Sequence, residues 1–151
     1  MSIVRIEIEE AIAKSNVNAY KIDDQTANNI WDSIAMKFTN VTGNYCWLWE
    51  NFFDEYAVND VDSWTWIQYF LKNRPCYFIV NHCGEKTAYY FDSGNSIVDM
   101  YDETGQLIEF YVTDENFTYL LCYNHHDYLI ACGSAKEWLI KYFSECKIKN
   151  S

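Results

Sequence analysis

The chain changes hydrophobic period about halfway along. Between residues 24 and 38, Ala27, Ile30, Trp31, Ile34, Ala35 and Phe38 recur at three- and four-residue intervals. That spacing lines one face of a helix with apolar side chains. Asp23 or Asp24 supplies the oxygen and negative charge suited to its N-terminus. A less regular helix is expected over 3–14, where Ile6 and Ile8 also alternate as in a strand. The turn signal NVTGN occupies 40–44, and a short helix is expected within the aromatic run YCWLWENFFDEY, 45–56. A further helix is expected over 63–72, capped by Asp62. Asn73-Arg74-Pro75 ends it, because the residue before proline avoids the α region.

Beyond Pro75 the period becomes two. CYFIVN (76–81) and KTAYYF (86–91), joined by HCGE, predict a hairpin. A short helical turn is expected at 96–101, then strands over 107–113, 117–123 and 128–132, with NHHD (124–127) as the last turn. Residues 117–123 are apolar on both alternations, which marks a central strand. Ser134 and Glu137 have capping-box spacing, and Ala135, Trp138, Leu139, Tyr142, Phe143 and Cys146 form the stripe of a final helix. The expected fold is therefore α+β, a single domain over 1–151. Its mainly antiparallel sheet has about five strands, with N-terminal helices and one C-terminal amphipathic helix packed on it.

Composition narrows the function. Half of the 151 residues are hydrophobic and 19% are aromatic, which excludes a disordered or linker-like chain. Eleven Lys and Arg against 22 Asp and Glu give a net charge of −11, the wrong sign for direct nucleic-acid binding. No export signal and no membrane-length apolar run is seen, so the expected compartment is the cytoplasm. The six cysteines, at 46, 76, 83, 122, 132 and 146, lack CxxC spacing and are expected as small buried apolar residues rather than disulfides.

The charge is unevenly placed. Between Lys37 and Lys72 no base occurs, while Glu50, Asp54, Glu55, Asp60 and Asp62 share the interval with Trp47, Trp49, Trp64 and Trp66. Between Lys86 and Lys136 eight acids again meet no base, among them Asp102, Glu103, Asp114 and Glu115. Acidic runs serve solubility. If the tracts converge, they also make an anionic face with aromatic anchors, suited to a basic protein partner. The residues assigned to that contact are Trp49, Asp54, Glu55, Asp60, Asp62, Trp66, Asp102, Glu103, Asp114 and Glu115.

No GxGxxG, P-loop, HExxH or GxSxG motif occurs. No catalytic residue and no cofactor is assigned. His125, His126 and Asp127 are ligand types for zinc, joined by His82 if the two hairpin turns are neighbours. Asn124 and Asp127 are equally ordinary turn residues. The reading is thus a non-catalytic acidic binding domain. The alternative is a small metal-dependent enzyme or ligand-binding domain using the His125-His126-Asp127 turn.

FYVTDENFTYLLCYNHHDYLIACG, with WLWENF and SWTWIQYF upstream, resembles a family of uncharacterised bacterial proteins with a tryptophan-rich N-terminal half and a C-terminal N-H-x-D hairpin. That resemblance carries no activity. Element order, size and acidity also resemble the SUKH superfamily of immunity proteins. By that likeness the chain would be an immunity- or antitoxin-like inhibitor of a basic toxin, a nuclease in the most concrete version.

Overall fold

Residues 119–123 read Tyr-Leu-Leu-Cys-Tyr, and all five are buried in the computed structural model, which describes residues 2–41 and 47–149. Tyr119, Leu121 and Tyr123 enter one core, whereas Leu120 and Cys122 enter another. Alternate side chains of a strand point to opposite faces, so a strand apolar on both alternations must be covered twice. The strands are β1 (Ala19–Lys21), β2 (Glu55–Asn59), β3 (Cys76–His82), β4 (Glu85–Phe91), β5 (Phe110–Thr113), β6 (Tyr119–Tyr123) and β7 (Tyr128–Gly133). They form one sheet in the order β1-β4-β3-β5-β6-β7-β2, and every neighbouring pair is antiparallel.

Helices cover both faces. Against one pack α1 (Ile3–Ser15), α3 (Ile67–Leu71), α4 (Gly94–Asp102) and α5 (Ser134–Lys149). Phe78, Phe91, Phe110 and Tyr123 supply the sheet side of that core. The other face takes α2 (Asp24–Phe38). All six apolar positions of its predicted stripe are buried. Asp23 caps it, accepting from the Thr26 amide at 2.8 Å.

Seven strands stand where the pattern predicts about five. Both additions are edge strands. β1 has three residues, too few for a period to show. β2 buries only Val58 fully, so its alternation is faint, and it begins at the last two residues of the aromatic run in which a short helix is expected. That run instead makes a 3₁₀ turn at Leu48–Asn51 before entering β2. Residues 42–46, which include most of the NVTGN signal and Cys46, lie outside the described residues. The helix expected over 63–72 is a 3₁₀ turn at Ser63–Trp66 followed by α3, and Asp62 makes no side-chain cap bond. β5 starts three residues later than the 107–113 pattern. The Ile108 carbonyl is taken by the Tyr101 hydroxyl at 2.6 Å rather than by a neighbouring strand.

At the β7–α5 junction Gly133 adopts φ +62, and a Cβ there would lie 2.5 Å from the Thr118 carbonyl oxygen. Only glycine fits this corner. Cys76, Cys122 and Cys132 are buried free thiols, whereas Cys83 is exposed and Cys146 half-buried. Among the described residues no helix is long and apolar enough to cross a membrane.

Candidate functional site

Antiparallel register sorts the chemistry to the two ends of the sheet. One end holds the β3–β4 turn with His82 and Cys83, the residues leading into β5, and the β6–β7 turn with His125 and His126. The residues that follow β2 join it, since the Asp60 amide donates to the Asp127 carbonyl at 2.9 Å. The opposite end holds the start of β2, the β5–β6 turn and Gly133.

The histidine end contains a cavity of about 630 Å³. Val4, Val80, Leu107 and Ile108 give it apolar walls, and His82, Cys83, His125 and Glu109 supply polar groups. Glu109 Oε1 accepts from the His125 amide and lies 3.0 Å from His125 Nδ1. The hairpin adjacency that the sequence left open is therefore real for His82 and His125. Asp127 does not join them, because its Oδ1 lies 3.0 Å from the Tyr123 hydroxyl. That hydroxyl is also 3.1 Å from the Val61 carbonyl. His126 lies beside His125 with ring centroids 4.0 Å apart and planes tilted by 46°, and both rings abut Trp49 at 5.8 Å. Among the described residues, no three His, Cys, Asp or Glu side chains gather as a metal-holding group. The NHHD segment does work as a turn. The buried Asn124 side-chain oxygen accepts from the amides of His126 and Tyr128, an Asx arrangement that mimics a backbone turn.

The acids predicted for partner contact do not merge into one face. Asp60 and Asp62 lie at the histidine end, where Asp60 Oδ1 accepts from the Asp62 amide at 2.8 Å. Asp102 and Glu103 follow Tyr101 at the C-terminus of α4, on the loop that leads back to β5. Asp114 and Glu115 are in the β5–β6 turn at the other end, and Asp114 is occupied by the Thr118 amide and hydroxyl. Asp54 and Glu55 also start from that end. Asp54 pairs with Lys136 of α5 at 2.5 Å. Four of the acids nevertheless share one line, since Asp54, Glu55, Asp60 and Asp62 bracket or begin β2. β2 is the last strand of the sheet, and among the described residues its outer edge pairs with no other strand.

A second cavity, about 440 Å³, runs along this edge on the α2 side. Trp49, Ala57, Tyr128 and Ile130 form its apolar part, and Glu50 and Glu55 bring two carboxylates. Partial burial raises the Glu55 carboxyl above the usual carboxylate range. The half-buried Trp49 thus faces this groove on one side and packs into the α2 core on the other. Trp47 is the more exposed of that pair, at 51%. In the second pair Trp64 is buried, and Trp66 is half-buried against Tyr142 and Phe143 of α5.

Sequence reasoning missed Glu109, Glu50 and Ala57. A signal for Glu109 was present, since a carboxylate inside the apolar run LIEFYV calls for a partner. Glu50 stood out only as one acid of the base-free tract and Ala57 carried no signal, because their role depends on β2 being an edge. No curated protein and no solved structure matches the chain. Residues 1–143 match DUF6756, a family of unknown function, and the chain belongs to that family.

Proposed function

We propose that this chain is a non-catalytic binding domain for a basic protein partner. The observation that carries the reading is the open β2 edge with Asp54, Glu55, Asp60 and Asp62 along it and Trp49 and Glu50 beside it. At a net charge of −11 the molecule draws a cationic partner from a distance, and the edge acids set its orientation. In the finer version the chain is an immunity- or antitoxin-like inhibitor of a basic nuclease. Its carboxylates pair with lysines and arginines that otherwise hold phosphate. Trp49 and Trp66 then serve as short-range anchors, with Asp102 and Glu103 flanking the contact. Asp114 and Glu115, at the far end of the sheet, fall outside it.

The test is co-isolation from the native cell with the wild type and a Glu55→Lys/Asp62→Lys variant. Asp60 is left intact because its carboxylate holds the Asp62 amide. A basic partner whose association slows by about tenfold or more in the variant, with a flatter salt dependence, supports the reading. An acidic partner, or an unchanged association rate, overturns it.

The 630 Å³ cavity favours a second reading, a small-ligand site. Its volume is of ligand size, its walls are largely apolar, and Glu109 fixes the His125 ring. A fragment library screened by NMR tests it. Shifts confined to 80–83, 107–109 and 125 support a ligand site, and the absence of any such hit argues against it.

A further inference from the structure

Among the described residues no strand pairs with β2 on the side away from β7, so that edge offers a row of backbone donors and acceptors. Its side chains alternate. Tyr56 and Val58 belong to the core beneath α5, whereas Glu55 and Ala57 face the 440 Å³ cavity together with Ile130, the partner of Ala57 in register. A strand added to this edge would project every second side chain over that cavity. The cavity combines an indole face with two carboxylates, which suits an ammonium or guanidinium on an aliphatic stem. The acids at both ends of β2 match a segment basic along its length. The single base among the described contacts of this row is Lys136, on Asp54.

Resting on the basic-partner reading, we propose that β2 accepts an extended basic segment of another protein as an eighth strand, with one arginine or lysine of that segment seated between Trp49, Glu50 and Glu55. Main-chain hydrogen bonds hold the segment, and the seated cation sets its register. Desolvation raises the Glu55 carboxyl, and a cation seated beside it would favour the charged carboxylate and oppose that shift. Edge acids also prevent sheets from pairing with their own copies, so self-association belongs among the outcomes of the test.

Three synthetic nonapeptides serve as probes of the full chain by calorimetry at low salt. One alternates arginine with valine, the second is the same peptide N-methylated at every backbone amide so that neither of its edges can pair, and the third alternates glutamate with valine. Strand addition predicts binding of the first, at least about tenfold weaker binding of the second, and none of the third. Ala57→Arg, at an exposed position on the cavity floor, puts a cation of the chain's own into the pocket. It should weaken the first peptide by a similar factor while leaving the melting temperature unchanged. Amide exchange on β2 should slow only with the first peptide. Equal binding of the first two overturns strand addition and leaves the basic-partner reading standing. Full binding to Ala57→Arg overturns the seated cation. Binding of none of the three, equal binding of the glutamate peptide, or dimerisation of the chain along β2 in place of peptide binding overturns both.

Discussion

Two buried tyrosines differ in what their hydroxyls meet, and the difference predicts opposite responses to one substitution. Tyr101 is fully buried, and its hydroxyl donates to the Ile108 carbonyl at 2.6 Å. Tyr119 is 1% exposed, and its buried hydroxyl has no hydrogen-bond partner among the described residues. In each case Tyr→Phe keeps the ring and opens no cavity, so only the polar balance changes. Tyr101→Phe strands the Ile108 carbonyl and should cost about 1–3 kcal/mol. Tyr119→Phe removes a polar group buried without compensation and should be neutral or stabilise by about 1 kcal/mol. For a chain of this size the first change lowers the melting temperature by ~2–12 °C. Urea unfolding reads both effects as a shift in midpoint at constant slope. Tyr101→Phe should also speed amide exchange in 103–109, the loop that the hydroxyl ties down. Equal shifts for the two variants, or a larger loss at Tyr119, would refute the reasoning.

Other expectations concern the junctions and the thiols. Gly133→Ala forces an L side chain into φ +62 against the Thr118 carbonyl and should destabilise by about 2–4 kcal/mol, seen in thermal unfolding. A melting temperature within a degree of wild type would contradict the close approach. Burial pushes the thiols of Cys76 and Cys132 up to about 12 and raises the phenols of Tyr101 and Tyr119. These groups bind their protons more tightly when folded. Their contribution is whole below the unfolded pKa values, near 9 for the thiols and 10 for the phenols. It is lost as pH rises through the folded ones, at about 1.4 kcal/mol per pH unit per titrating group. Unfolding free energy should be flat to about pH 8 and fall steeply beyond pH 10, and a flat profile to pH 11 would count against the burial.

Periodicity carried much of the fold because packing and pattern agree where a face is wholly covered. α2 runs over Asp24–Phe38 as the spacing of Ala27 to Phe38 predicts, and the doubly apolar 119–123 segment is central. Pattern failed where covering is partial. β2 hides one residue fully, and β1 is shorter than a single alternation can reveal. The same failure displaced the site. Charge counting found Asp54, Glu55, Asp60 and Asp62 but paired them with Asp114 and Glu115, which register carries to the other end of the sheet. Their alignment along one edge became visible only once 55–59 was a strand. The histidine pair shows a converse limit. Alternation predicts opposite directions for His125 and His126, yet the Asn124 side chain holds a turn in which the two rings lie side by side.

The pairing that builds the β2 edge joins residues 55–59 to 128–132. It is therefore among the most distant closures in the molecule, whereas β3–β4 and β5–β6–β7 zip from neighbours. Closing so long a loop is entropically expensive, and such contacts form after local ones. A ribosome-bound or truncated chain would thus present hairpins long before it presented an acidic rim. In the proposed binding mode, recognition would wait until 128–132 had been made and paired with 55–59, and a bound segment would favour that closed pairing, slowing global opening rather than local fraying.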